Sequence, residues 1–303
     1  MSEAKILQKY AGFFSWAIQR SDGSIRDYAH GNKNLILDSG LDLIGQNEVI
    51  KYIVVGSGTS TPVASDTVLE SFVASTARFD SRSQTAQSSA PYYGESSLTL
   101  VFDIGEATGT LGEVGIGIGK NATDTLFSRD VIRDSSGNQT TITILSSEKL
   151  FVTYTLRQYP PASDSNFSLN VDGTTVNCTL RAANVTAVSD WTIKVEGGTG
   201  SEIQLNSGLN SGGLYNVGIE PIDSAPIGTR STGTTADDTY VAGTFERTGS
   251  ISRNTTDNDE DYKSLLFDYK SRNGTFQVEF DPIITKLLSQ AITINVKKTW
   301  SRN

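Results

Sequence analysis

Apolar and polar positions alternate with a period of two along most of this chain, the pattern of strands that bury one face and solvate the other. The alternation is clearest in KLFVTYTLRQY, Lys149–Tyr159. There Leu150, Val152, Tyr154 and Leu156 share one face, while Phe151, Thr153, Thr155 and Arg157 share the other. GFFSWAIQR, from Gly12 to Arg20, predicts a strand, and Ser21-Asp22-Gly23-Ser24 a turn, so a hairpin opens the chain. SSLTLVFDI, LGEVGIGIG, TLFSRDVI and TTITIL follow as short strands separated by turns such as Asp134-Ser-Ser-Gly-Asn138. Strands recurring every ten residues or so with turn signals between them are the mark of a sandwich or barrel.

One segment breaks the period. NLILDSGLDLIGQ, Asn34–Gln46, places Leu35, Ile36, Leu41, Leu43 and Ile44 on one helical face and predicts the one long helix, although Gly40 weakens it. VIKYIVVGSGTSTP then reads as a β-branched strand that ends in Gly-Ser-Gly, with a polar loop from Pro62 to Thr67.

The second half repeats the style with NFSLNV, TTVNCTLRA, DWTIKVEG, SEIQL and GLYNVGIE, and Asp172-Gly173 marks a tight hairpin. Pro221 to Asp238 is poor in apolar residues and predicts a long exposed loop. YVAGTFERTGSISR, KSLLFDYKS, GTFQVEFDP and AITINVKKTW supply the final strands, and PIITKLL, opening at Pro282, predicts one or two helical turns. Pro160-Pro161-Ala-Ser-Asp-Ser cannot continue a strand, which sets the expected boundary between a 1–160 scaffold domain and a 161–303 second β-rich domain. The expected fold class is all-β, with β-sandwich-type domains and one short helix near the N-terminus.

Composition narrows the functions this fold would serve. With 303 residues and a net charge of −9, the chain repels phosphate backbones and anionic lipid, so neither nucleic acid nor a membrane is an expected partner. MSEAKILQKY lacks the apolar run of a signal peptide, and the expectation is a chain made in the cytoplasm. Seven Asn-x-Ser/Thr triplets, the first at Asn121, then read as turn chemistry rather than glycosylation. The single cysteine, Cys178, alternates with Val176 and Leu180 and points into a core.

No motif carries catalytic chemistry. His30 is the one histidine and reads as a loop residue before a turn glycine; no Gly-x-Ser-x-Gly elbow accompanies it, and no histidine pair is present to hold zinc. Gly115-Ile-Gly-Ile-Gly119-Lys120 has the wrong spacing for a phosphate loop, so its glycines are expected to let a strand approach a neighbouring backbone or ring. Asp257–Asp261 lacks the glycine and terminal glutamate of a calcium loop and reads as solvated. Glu95, Asp103, Glu106 and Glu113 are available as glycosidase carboxylates but sequence does not bring them together. The expectation is no enzyme, no cofactor and no metal. Tyr92 and Tyr93 after Pro91, with Tyr159 before Pro160, are the candidate contacts for a glycan or an interface.

The order of three segments carries a resemblance. NLILDSGLDLI, then YIVVGSGTSTPVASDTVLES, then GEVGIGIGKNATDTLFSRDVIRDSSGNQTTITILSSEKLFVTYTLRQY resembles tail-associated structural proteins of tailed bacteriophages, the tail fibre, tail tip and minor tail proteins. The likeness covers about residues 30–160 and rests on structural motifs. It implies a virion component that assembles with copies of itself, as a trimer or ring, and with other virion proteins. The first half would be the recurring scaffold and the second the variable, outward part. Two alternatives stand beside it: a module that binds a host-surface glycan, and a head decoration or head-fibre protein.

Overall fold

The computed structural model describes residues 4–183, 185, 188–196, 202–205, 209–215, 230–232, 234–254, 260–269, 274–287 and 289–303. The fold is all-β, in several packed sheets, with the helix Asp38–Gln46 and the short turn of helix Val188–Trp191. Among the described residues no helix is long and apolar enough to cross a membrane.

The spine is the 16-residue strand Ala4–Gln19, whose inward and outward positions alternate along most of its length. It runs antiparallel to Lys149–Tyr159, in register from Lys9↔Tyr159 to Gln19↔Lys149. Its other edge is divided: Phe13 onward forms the expected hairpin with Ile25–Lys33, while Ala4 to Tyr10 pairs in parallel with Ile292–Arg302. The sheet continues outward through Glu246–Arg253 and Thr234–Asp237 on one side, and through Gly94–Phe102 and Phe79–Ala86 on the other, making eight strands.

Two further sheets pack on this one. The five-stranded sheet has the order Leu35–Ile36, Leu126–Val131, Glu113–Gly117, Tyr52–Gly56, Phe72–Thr76. The six-stranded sheet has the order Ser165–Val171, Thr174–Ala183, Thr275–Lys286, Glu260–Tyr269, Leu209–Tyr215, Arg230–Thr232. Two small sheets fill the rest, one joining Gly109–Leu111 to Ile142–Ile144, the other joining Lys194–Glu196, Glu202–Gln204 and Val49–Ile50.

The long sheet serves two hydrophobic cores. Phe14, Trp16, Leu98, Leu100 and Tyr154 meet Ile53, Val55, Ile116, Phe127 and the helix residues Leu41, Leu43 and Ile44. Ala4, Ile6, Ile251, Ile294 and Val296 meet Val176, Cys178, Leu180, Phe276, Val278 and Phe280. On the two strands that enter both cores, the residues in between are polar: Gln8 separates Ile6 from Tyr10, and Lys298 separates Val296 from Trp300. Both are wholly buried. Burial pushes the Lys298 amine down to about 7, with Asp237 pulling it partly back.

Several expectations gain a physical reason and several are corrected. Gly40, which weakens helix propensity, lies where the helix touches the five-stranded sheet, and a Cβ there would overlap the Phe127 carbonyl. The helix is also clamped from Ile292–Arg302, since the Trp300 indole donates to the Leu41 carbonyl at 2.8 Å and the Arg302 guanidinium pairs with Asp38. The expected boundary at 160 marks the end of a strand but divides no sheet: strands from both sides share the eight-stranded sheet, and Glu202–Gln204 pairs with Val49–Ile50.

PIITKLL is not helical through Lys286. It continues the strand Thr275–Lys286, where Ile284 pairs with Tyr262 and both Ile284 and Lys286 are buried. Pairing with a distant strand overrides the local signal there. In the expected loop Pro221–Asp238, residues 221–229 lie outside the described residues, but Arg230–Thr232 and Thr234–Asp237 are strands. Their pairing with Leu209–Tyr215 and Glu246–Arg253 compensates for a sparse apolar content. His30 sits in the strand Ile25–Lys33 rather than in a loop, and Gly31, at φ 66°, lies where the register against Ala4–Gln19 shifts.

Candidate functional site

The strand Tyr52–Gly56 stops at Gly56, and the chain returns to the sheet at Phe72 through GSGTSTPVASDTVLES. Such a loop must find partners for its backbone N–H groups. Glu113 supplies them from inside. Its Oε1 accepts from Ser71 N at 2.7 Å and Gly58 N at 3.2 Å, and its Oε2 accepts from Glu70 N at 3.0 Å. Glu113 is 0% and Arg129 3% exposed, and Arg129 Nε donates to Glu113 Oε2 at 2.9 Å. The same guanidinium reaches Asp66 and the Ser60 hydroxyl. Glu70 closes the loop's mouth by accepting from Thr59 N and Ser60 N, each at 2.9 Å; the Ser60 backbone bond holds its carboxyl below the usual range.

The helix entrance locks onto the same strand. Ser39 Oγ donates to the Leu126 carbonyl at 2.8 Å, Leu37 N to the Phe127 carbonyl at 3.0 Å, and Ser128 Oγ lies 2.6 Å from Asn34 Oδ1. Gly115 and Gly117 serve close approach, as expected: a Cβ at Gly115 would stand 3.1 Å from the Ser128 carbonyl. Their strand, Glu113–Gly117, pairs on both sides and leads into no helix.

The candidate tyrosines divide. Tyr92 packs against the second core. Tyr93 and Tyr159 come together with centroids 5.5 Å apart, and the Arg157 guanidinium lies 4.4 Å from both the Tyr93 and the Phe13 rings. Arg157 Nε donates to Glu95 Oε2 at 2.6 Å. The result is an arginine held between two rings, which occupies one face of Tyr93.

The remaining carboxylates each face a cation. Asp103 lies 3.0 Å from Lys149 Nζ and 3.5 Å from Arg78, and Glu106 lies 3.4 Å from Arg78. The Lys149 hydrogen bond lowers the Asp103 pKa, opposite to the shift a general acid needs. His30 packs against Tyr28 with centroids 5.0 Å apart and the rings tilted by 42°. Of the acidic run, 257–259 lie outside the described residues, while Glu260 and Asp261 begin a strand.

A groove that sequence reasoning missed lies between the edge strand Ser165–Val171 and the start of Ile292–Arg302. Its volume is about 680 Å³, and Asn170, Asp172, Gln290, Thr293 and Asn295 face it beside Leu169, Val171 and Ile292. The hairpin turn is built as expected, with Asp172 at φ 51° and Gly173 at φ 82°. Gln290 Nε2 donates to Asp172, tying the turn to the far wall.

Comparison with protein-family models, with curated proteins and with solved structures finds no match to this chain.

Proposed function

We propose that this chain is a non-catalytic structural component of a tailed-phage virion, belonging to the tail, collar, baseplate or an attached fibre, and assembling as a symmetric oligomer. One observation carries the reading. The three segments that resemble tail-associated proteins converge on one interlocked unit: Asn34–Ser39 is bonded to Leu126–Ser128, and the Gly56–Ser71 loop to Glu113 and Arg129. Its buried charges are engaged in fixing backbone, which suits a scaffold. An active site would keep such groups at a pocket with shifted, available protons.

The test is cryo-electron microscopy of intact particles together with sedimentation of the purified chain. Density for this fold in symmetric tail copies, with a homo-oligomer at micromolar concentration, is the expected result. A monomer that is absent from the particle overturns the proposal.

A further inference from the structure

The groove between Ser165–Val171 and Ile292–Asn295 has a chemistry of its own. Its volume, about 680 Å³, falls in the range that encloses small ligands. Leu169, Val171 and Ile292 are half-buried against the second core and give it an aliphatic floor. Around that floor stand amides and hydroxyls. Asn170 Oδ1 accepts from Gly173 N at 3.1 Å, which leaves its amide N–H groups to donate. Thr293 is exposed and Asn295 half-buried, on the strand face opposite the core residues Ile294 and Val296, and neither side chain bonds to another described residue.

The described lining residues favour one ligand class over the others. Among the described lining residues, Asp172 is the one charged group, with no Lys, Arg or His, so a phosphate or carboxylate meets repulsion and no counter-charge. A single carboxylate already bonded to Gln290 falls short of a cation site. A wholly apolar ligand would strand the Asn170 and Asn295 amides without partners. A ligand with hydroxyls around its rim and C–H groups on one face satisfies both surfaces. We propose that this groove binds an uncharged saccharide. The Asp172-Gly173 turn and the Gln290 tie hold the walls in place before binding, which limits the ordering cost.

The test is an NMR titration of the purified full chain with galactose, N-acetylglucosamine and maltotriose as neutral probes, and glucuronate and N-acetylneuraminate as anionic ones. At least one neutral probe is expected to bind saturably, shifting amides at 168–172 and 290–295. Asn295→Ala is expected to weaken it about tenfold, the effect of losing a hydrogen bond or two. Thr293→Trp, on the exposed side of the strand, is expected to block the groove and serves if Asn295→Ala unfolds. The proposal is overturned if no neutral probe moves those amides, if anionic probes bind more tightly, or if binding survives both variants and is lost in Tyr93→Ala. Particle incorporation plays no part in this measurement, so its failure leaves the virion reading standing.

Discussion

Glu113 and Arg129 are partners inside the protein, 2.9 Å apart from Oε2 to Nε, and between them they hold Gly58, Ser60, Asp66, Glu70 and Ser71 in place. Removing Arg129 leaves the buried Glu113 carboxylate with its backbone N–H donors but without its counter-ion. Arg129→Met is therefore expected to cost about 3–5 kcal/mol and to open the Ser57–Glu70 loop to proteases. Denaturant titration with limited proteolysis checks both. Full stability with an intact loop would mean that the pair is peripheral.

Gly40→Ala tests whether packing or propensity governs the helix. Propensity alone predicts a gain of about 0.8–1 kcal/mol. Because a Cβ would overlap the Phe127 carbonyl, the expected result is a loss of about 1–3 kcal/mol. A rise in thermal midpoint would show that helix and strand can separate at no cost.

Lys298 makes stability depend on pH. Its pKa is about 7 in the folded chain against an ordinary 10.5, so between those values the unfolded chain holds the extra proton. Stability then rises with pH across that window, and the penalty of burying the charge is at its full value below pH 7. Lys298→Met is expected to stabilise the protein at pH 6, by about 1–4 kcal/mol, the gain found when buried ion pairs are replaced by apolar groups. The advantage should shrink toward pH 10. Parallel stability curves for variant and parent would refute the assignment.

Arg157 and Tyr93 should be energetically coupled, because the guanidinium lies over the ring. A double-mutant cycle with Arg157→Met and Tyr93→Ala is expected to give a coupling of about 1 kcal/mol. Additivity within about 0.3 kcal/mol would reduce the stack to chance proximity.

Strand identity was legible wherever side chains alternate, as along Lys149–Tyr159, where Leu150, Val152, Tyr154 and Leu156 are buried as the period required. The Asp172-Gly173 turn and the helix body Asp38–Gln46 were legible for equally local reasons, but Leu35 and Ile36, expected on the helix, form a strand paired with Leu126–Val131. Long-range pairing was not legible. Nothing in PIITKLL announces that Ile284 will face Tyr262, and nothing at Pro160 says that strands from far on either side of it share the eight-stranded sheet. Among candidate site residues, Tyr93 and Tyr159 do meet, but Tyr92 turns to the core, and the arginine that stacks on Tyr93 carries no sequence signal. The groove went unseen because Asn170 and Asn295 lie far apart in the chain and polar residues on exposed strand faces look ordinary.

The parallel pairing of Ala4–Tyr10 with Val296–Arg302 sets a clock on biosynthesis. Thr299 bonds to the Ile6 carbonyl across 293 positions of sequence. At ribosomal rates of about 5–20 residues per second, the spine waits on the order of 15–60 s for that neighbour. Throughout that interval the nascent chain carries an open strand edge and half of a second core, so it stays exposed to aggregation until Thr299 and its strand have been made.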